Sequence, residues 1–146
     1  MLQDLGQSLV QADPDAFCRN VIDQIAFVPG GNLVMDGIRH ADMQRRVATA
    51  VLPSDTRLIY LAADDDFLAQ RVRRRGASEM ELRRANDHEV EQELLESLPG
   101  IADAIIDTSQ PPKVVVLECL QMVERWGVDP TLVQAARERL IRRDLA

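Results

Sequence analysis

Leu58-Ile59-Tyr60-Leu61 is the stretch that most constrains the fold. It is short, continuous and apolar, and it lies between the turn Pro53-Ser54-Asp55 and the acidic run Asp64-Asp65-Asp66. A strand apolar on both faces belongs in a parallel sheet covered on both sides, whereas a half-solvated antiparallel strand alternates apolar with polar. Residues 57–63 are therefore predicted as a buried parallel strand. Parallel neighbours are reached only through long crossovers, usually helical, so helical patterns should flank it.

They do. Leu2, Leu5 and Leu9 have helical spacing, predicting a helix over 2–11. Asp13-Pro14 reads as an N-cap followed by proline in the first turn. Phe17, Val21, Ile22 and Ile25 give the helix that follows its apolar stripe, and Pro29-Gly30-Gly31 ends it. Residues 32–35 are predicted as a strand and 41–51 as a helix with Met43, Val47 and Val51 on one side. After the central strand a helix runs to about Arg75, stopping at Gly76, with Phe67, Leu68 and Val72 inward. The charged stretch 77–99 reads as two short helices in a small lobe. A third strand is predicted over Ala102–Ile106, ending at Asp107-Thr108-Ser109. Pro111 opens a helix to Trp126, although Val114-Val115-Val116 favours strand by propensity alone. Asp129-Pro130 caps a last helix bearing Leu132, Ala136 and Leu140.

Strands alternating with helices imply an α/β fold, here a three-layer parallel sheet with flanking helices. At 146 residues, one domain with a real core is expected. No apolar run reaches the roughly 18 residues that a membrane span requires, and Met1–Val10 is too polar for a secretory signal. Cys18 and Cys119 match no metal spacing and read as reduced core thiols. A cytoplasmic protein without structural metal is the expectation. The net charge of −7 and a total of five aromatics argue against nucleic acid as a partner.

Candidate site residues come from two places. Asp36, Gly37 and Arg39 follow the strand at 32–35, where ligands of parallel α/β proteins gather. Glycine permits close backbone approach and arginine suits phosphate; the bland alternative is a polar turn with a surface ion pair, and His40 beside it reads as a loop residue. Arg71, Arg74 and Arg75 are either phosphate clamps or a solvated helix end, where positive charge is favoured in any case. Arg83 and Arg84 form a lesser candidate. Asp64, Asp65 and Asp66 read as charge at a helix start.

These pieces, in their order, resemble the P-loop small-molecule kinases, specifically the nucleoside-monophosphate-kinase and dephospho-CoA-kinase-like group, over residues 1–126. Leu2-Gln3-Asp4-Leu5-Gly6 resembles the opening of the substrate-side helices. Val34-Met35-Asp36-Gly37-Ile38-Arg39 resembles the strand and loop holding substrate or the metal–phosphate group. Arg57 to Ala63, continuing to Arg71-Val72-Arg73-Arg74-Arg75, resembles the strand and arginine-bearing helix leading into the lid. Ala104-Ile105-Ile106-Asp107-Thr108-Ser109 resembles the last strand and the loop beside the nucleotide base. The resemblance implies a P-loop NTPase-like domain over 1–126 with a lid-like lobe at 77–100, then a C-terminal helix within 127–146. It implies ATP and Mg²⁺ as cofactors, with Asp36 near the metal. Phosphate contacts fall to Asp36, Gly37, Arg39, Arg71, Arg74, Arg75 and Arg84, and the base loop to Asp107, Thr108 and Ser109.

The departure from the family pattern is the first strand and the Gly-x-x-x-x-Gly-Lys-Ser/Thr loop, which the resemblance places upstream of this chain. That loop's lysine bridges the transferred phosphate and its hydroxyl binds magnesium. Here the single lysine is Lys113, behind Pro111-Pro112. The expected function is therefore the substrate and lid part of an ATP-dependent small-molecule kinase, a transferase inactive by itself unless the P-loop is supplied. The alternative is a catalytically dead protein-interaction or regulatory module. The missing strand leaves a slot beside the strand ending near Ala63, so a homo-oligomer, or a partner chain filling the sheet, is expected. The ligand expected is a phosphorylated small molecule or nucleotide.

Overall fold

The computed structural model describes residues 12–74, 76 and 89–143. Among these residues the elements are α1 (Pro14–Gln24), α2 (Ala41–Ala50), β1 (Ile59–Ala62), α3 (Asp65–Arg74), α4 (Glu89–Ile101), β2 (Ala104–Asp107), α5 (Pro112–Arg125) and α6 (Pro130–Arg143). The chain divides into two compact units, Met1–Arg57 with Glu89–Ile101, and Leu58–His88 with Ala102–Ala146.

In the first unit the sequence signals set the helix boundaries. Asp13 caps α1, its Oδ1 accepting from the Ala16 N–H at 2.8 Å, and Pro14 takes the first turn, where its missing N–H costs nothing. Cys18 and Ile22 are buried on α1, while Ile25 lies just past its end and is half-exposed. On α2, Met43 and Val47 face inward, followed by Val51. Cys18, Met43 and Val47 form a small core, against which Phe17, Met35 and Ile38 pack. The α4 helix also lies against α2.

The second unit holds the sheet. β1 and β2 are parallel, with Ile59 opposite Ala104, Tyr60 opposite Ile105, Leu61 opposite Ile106 and Ala62 opposite Asp107. Asp64 caps α3 by accepting from the Phe67 N–H at 2.6 Å, and Gly76, at φ +79°, follows it. Pro112 starts α5, so the three valines expected to waver between states are helical. The Asp129 carboxylate accepts from both the N–H and the hydroxyl of Thr131 at the start of α6. Arg137 donates to Glu124 at 2.6 Å, tying α6 to α5.

The expected three-layer parallel sheet is corrected. Among the described residues the protein is mostly helical, and its one sheet has two strands. Residues 32–40 are not a strand, and Val34 is 94% exposed. An apolar run becomes a strand only when a neighbour accepts its backbone hydrogen bonds, and none lies beside this one among the described residues. It is instead held by Met35 and Ile38 packing on the α1–α2 core. Nor is β1 covered on both faces, since Leu61 is 54% and Ile105 of β2 57% exposed. Residues 89–101 form one helix, where part of a two-helix lobe was expected. On α6 the buried residue is Val133, not the half-exposed Leu132. The expected helix at 2–11 lies outside the described residues, as does the lobe over 77–88. Among the described residues no helix is long and apolar enough to cross a membrane.

Candidate functional site

The two strands are tied at both ends. At the start of the pair, the Leu58 N–H donates to the Asp103 carboxylate at 2.8 Å, and the N–H groups of Asp103 and Ala104 donate to the Leu58 carbonyl. At the carboxyl ends, Thr108 donates twice to the Ala62 carbonyl, from its N–H at 2.7 Å and its hydroxyl at 2.8 Å. The loops leaving β1 and β2 therefore start side by side. This is the edge at which parallel α/β units bind ligands.

The acids of that edge are engaged locally. Ser109 donates its N–H to Asp107 Oδ1 at 2.8 Å and its hydroxyl to Oδ2 at 2.7 Å, closing a tight turn. The Ser109 hydroxyl, and then its N–H, hold the Asp107 carboxyl below its ordinary value. Asp64 is occupied in capping α3. Asp107, Thr108 and Ser109 thus build a hydrogen-bonded turn at the carboxyl end of β2.

Two of the arginines expected as phosphate contacts, Arg71 and Arg74, lie on α3, the helix that follows β1. Counting 1.5 Å of rise per residue, α3 places the Arg71 backbone about 9 Å and the Arg74 backbone about 13 Å from Asp65 along its axis. Both side chains are exposed, and the Arg71 guanidinium stands 5.9 Å from the Phe67 ring centroid. Arg75 and Arg84 lie outside the described residues. The Asp36 to Arg39 turn belongs to the first unit. Gly37 sits at φ +85° with nothing within 4 Å of where a Cβ would project, so backbone conformation, not crowding, calls for glycine. Asp36 and Arg39 are exposed on either side of it. His40 takes the N-cap position of α2 without a side-chain capping bond.

No family model matches the chain, and neither a curated protein nor a solved structure does.

A second feature was only partly legible in sequence. Between α1 and α2 lies a groove of about 430 Å³ lined by Asp15, Cys18, Arg19, Arg45, Arg46 and Thr49, among others. Arg46 crosses it, donating Nε to Asp42 at 2.7 Å and Nη1 to Asp15. Donating to Asp15 and to Asp42 raises the Arg46 pKa further. Asp42 and Arg46 are four apart on one helix, a pairing the sequence displays; Asp15 is 31 residues away and gives no such signal. Burial chiefly pushes the Cys18 thiol above its ordinary value, which makes it a poor nucleophile at neutral pH. Cys119 is shifted the same way, also by burial first. The groove is a helix clamp built from paired charges over a buried thiol.

Proposed function

We propose that this chain binds a phosphorylated small molecule or nucleotide, as the substrate and lid side of an ATP-dependent small-molecule kinase system, and does not transfer the phosphoryl group alone. The observation that carries this reading is the pairing of the β1 and β2 carboxyl ends through Thr108 and Ala62. It sets the Asp107-Thr108-Ser109 turn beside the entry to α3, as a ligand edge requires. The Asp36-Gly37-Ile38-Arg39 turn supports the same reading, because it presents an exposed arginine on a backbone shaped by a positive-φ glycine.

Transfer is assigned elsewhere on chemical grounds. Phosphoryl transfer depends on positioning and on stabilising the developing charge. The one lysine, Lys113, lies in the first turn of α5 and no Walker sequence accompanies it. Among the described residues no three His, Cys, Asp or Glu side chains converge, so a magnesium ion here would rest on one or two carboxylates, water and the phosphates of its nucleotide. Exposed Val34, Leu61 and Ile105 favour a second reading, an interaction module that binds protein instead of nucleotide.

Thermal unfolding of the full chain with millimolar ATP, nucleoside monophosphates or CoA precursors, each with Mg²⁺, separates the two. A ligand at 100 times its dissociation constant stabilises by about 2.7 kcal/mol, so a raised midpoint with at least one compound is expected, without phosphorylated product. A midpoint indifferent to the whole panel contradicts ligand binding.

A further inference from the structure

We propose that the Asp36–Gly37 bond is a site of spontaneous covalent modification, closing to a succinimide and reopening in part as an isoaspartyl linkage. The Gly37 amide nitrogen attacks Cγ of the protonated Asp36 carboxyl. A Cγ–N bond forms, and the carboxyl hydroxyl leaves with the amide proton as water. A second water then opens the ring. Entering at the Asp36 backbone carbonyl, it breaks the original peptide bond and leaves the chain running through Cγ; entering at Cγ, it restores aspartate. The atoms lost in the first step return in the second, so the reaction needs no oxidant, cofactor or enzyme.

The structure leaves this bond open to the reaction. The residue after Asp36 is glycine, so no Cβ obstructs the attacking nitrogen, and nothing lies within 4 Å of where one would project. It is the one Asp-Gly pair in the sequence, which has no Asn-Gly. Asp36 and Gly37 are both exposed and lie outside every helix and strand. Among the described residues neither the Asp36 carboxylate nor the Gly37 N–H has a hydrogen-bond partner, so no such bond has to break before attack. Other aspartates lack this combination. The N–H after Asp103 donates to Leu58 and the N–H after Asp107 donates to Ala62, while Asp13 and Asp129 precede prolines, which have no N–H. The new linkage adds a backbone methylene between Met35 and Ile38, both packed on the α1–α2 core. The modification therefore reshapes the turn, whether or not the turn binds phosphate.

Ageing of the full chain for several weeks at physiological pH and temperature, followed by tryptic mapping, tests the proposal. The Asn20–Arg39 peptide should split into two chromatographic species of identical mass. The new species should resist the endoproteinase that cuts before aspartate at residue 36, and accept a methyl group from S-adenosylmethionine through an isoaspartyl methyltransferase. Asp36→Glu should abolish the conversion, because its longer side chain closes a larger, less favourable ring. Asp36→Asn should accelerate it, because a neutral amide is attacked without prior protonation and leaves as ammonia. An unconverted peptide overturns the proposal, as does a new linkage that maps to Asp23. Conversion in urea but not in the folded chain also overturns it, since the fold would then shield the bond.

Discussion

Thr108 and Ala62 are joined by two hydrogen bonds to one carbonyl, from the Thr108 N–H at 2.7 Å and its hydroxyl at 2.8 Å. The backbone bond continues the β ladder and the hydroxyl bond reinforces it where the strands end. Thr108→Val keeps the shape and removes the second donor, which should cost about 1 kcal/mol. Thr108→Ser keeps the donor and should cost less. Urea unfolding of both variants checks this; equal losses would mean that the hydroxyl contributes nothing.

Arg46 holds α1 to α2 through Asp15 while bracing Asp42 on its own helix. Arg46→Gln should lower the urea midpoint more than Arg45→Gln, because among the described residues Arg45 reaches Asp42 alone, at 3.6 Å, and is 70% exposed. Exposed charge pairs are screened by salt, so the difference between the variants should shrink in 1 M NaCl. A difference that persists undiminished would point to packing of the Arg46 stem.

Acid should weaken the fold through Asp107 and Asp129. The Ser109 hydroxyl holds Asp107, and the Thr131 hydroxyl holds Asp129, below their ordinary carboxyl values, each with help from a backbone N–H. A carboxyl whose pKa is lower folded than unfolded contributes stability that is full above the unfolded value, near 3.9, and is lost as pH falls through the folded value. Stability should therefore drop on acidification below about pH 4, and less so in Asp129→Asn. Carbon-13 NMR titration of Ser109→Ala should find the Asp107 carboxyl moved upward toward its ordinary value.

The segment around Asp36 separates what the sequence shows from what it hides. Its apolar run displays strand propensity, but propensity does not state whether a neighbour is present to receive the hydrogen bonds. Helices α1, α3 and α5 were legible because Asp13, Pro14, Asp64 and Pro112 act on bonds within a few residues, and α2 because Met43 and Val47 recur at helical spacing. The sheet's true extent, the exposure of Leu61 and the Asp15–Arg46 link depend on distant residues, and periodicity is silent about them. The candidate site followed the same rule. The Asp107-Thr108-Ser109 turn was legible from its place after a strand, while the bond from Thr108 to Ala62, 46 residues away, was not.

That segment also makes a direct stability contrast. Val34→Ser should leave the unfolding free energy within about 0.5 kcal/mol, since Val34 is 94% exposed. Met35→Ala should cost about 1–2 kcal/mol, below the range for full burial, because Met35 is half-buried against Cys18, Met43 and Val47. Equal effects would show that the segment is not anchored through Met35.

Amide chemical-shift mapping of the full chain, titrated with ATP and with nucleoside monophosphates in the presence of Mg²⁺, tests the ligand edge most directly. Saturable shifts concentrated at Asp64, Thr108, Ser109 and the first turn of α3 are the predicted result. Absence of saturable shifts, or shifts confined to the α1–α2 groove around Arg19 and Arg45, would contradict it.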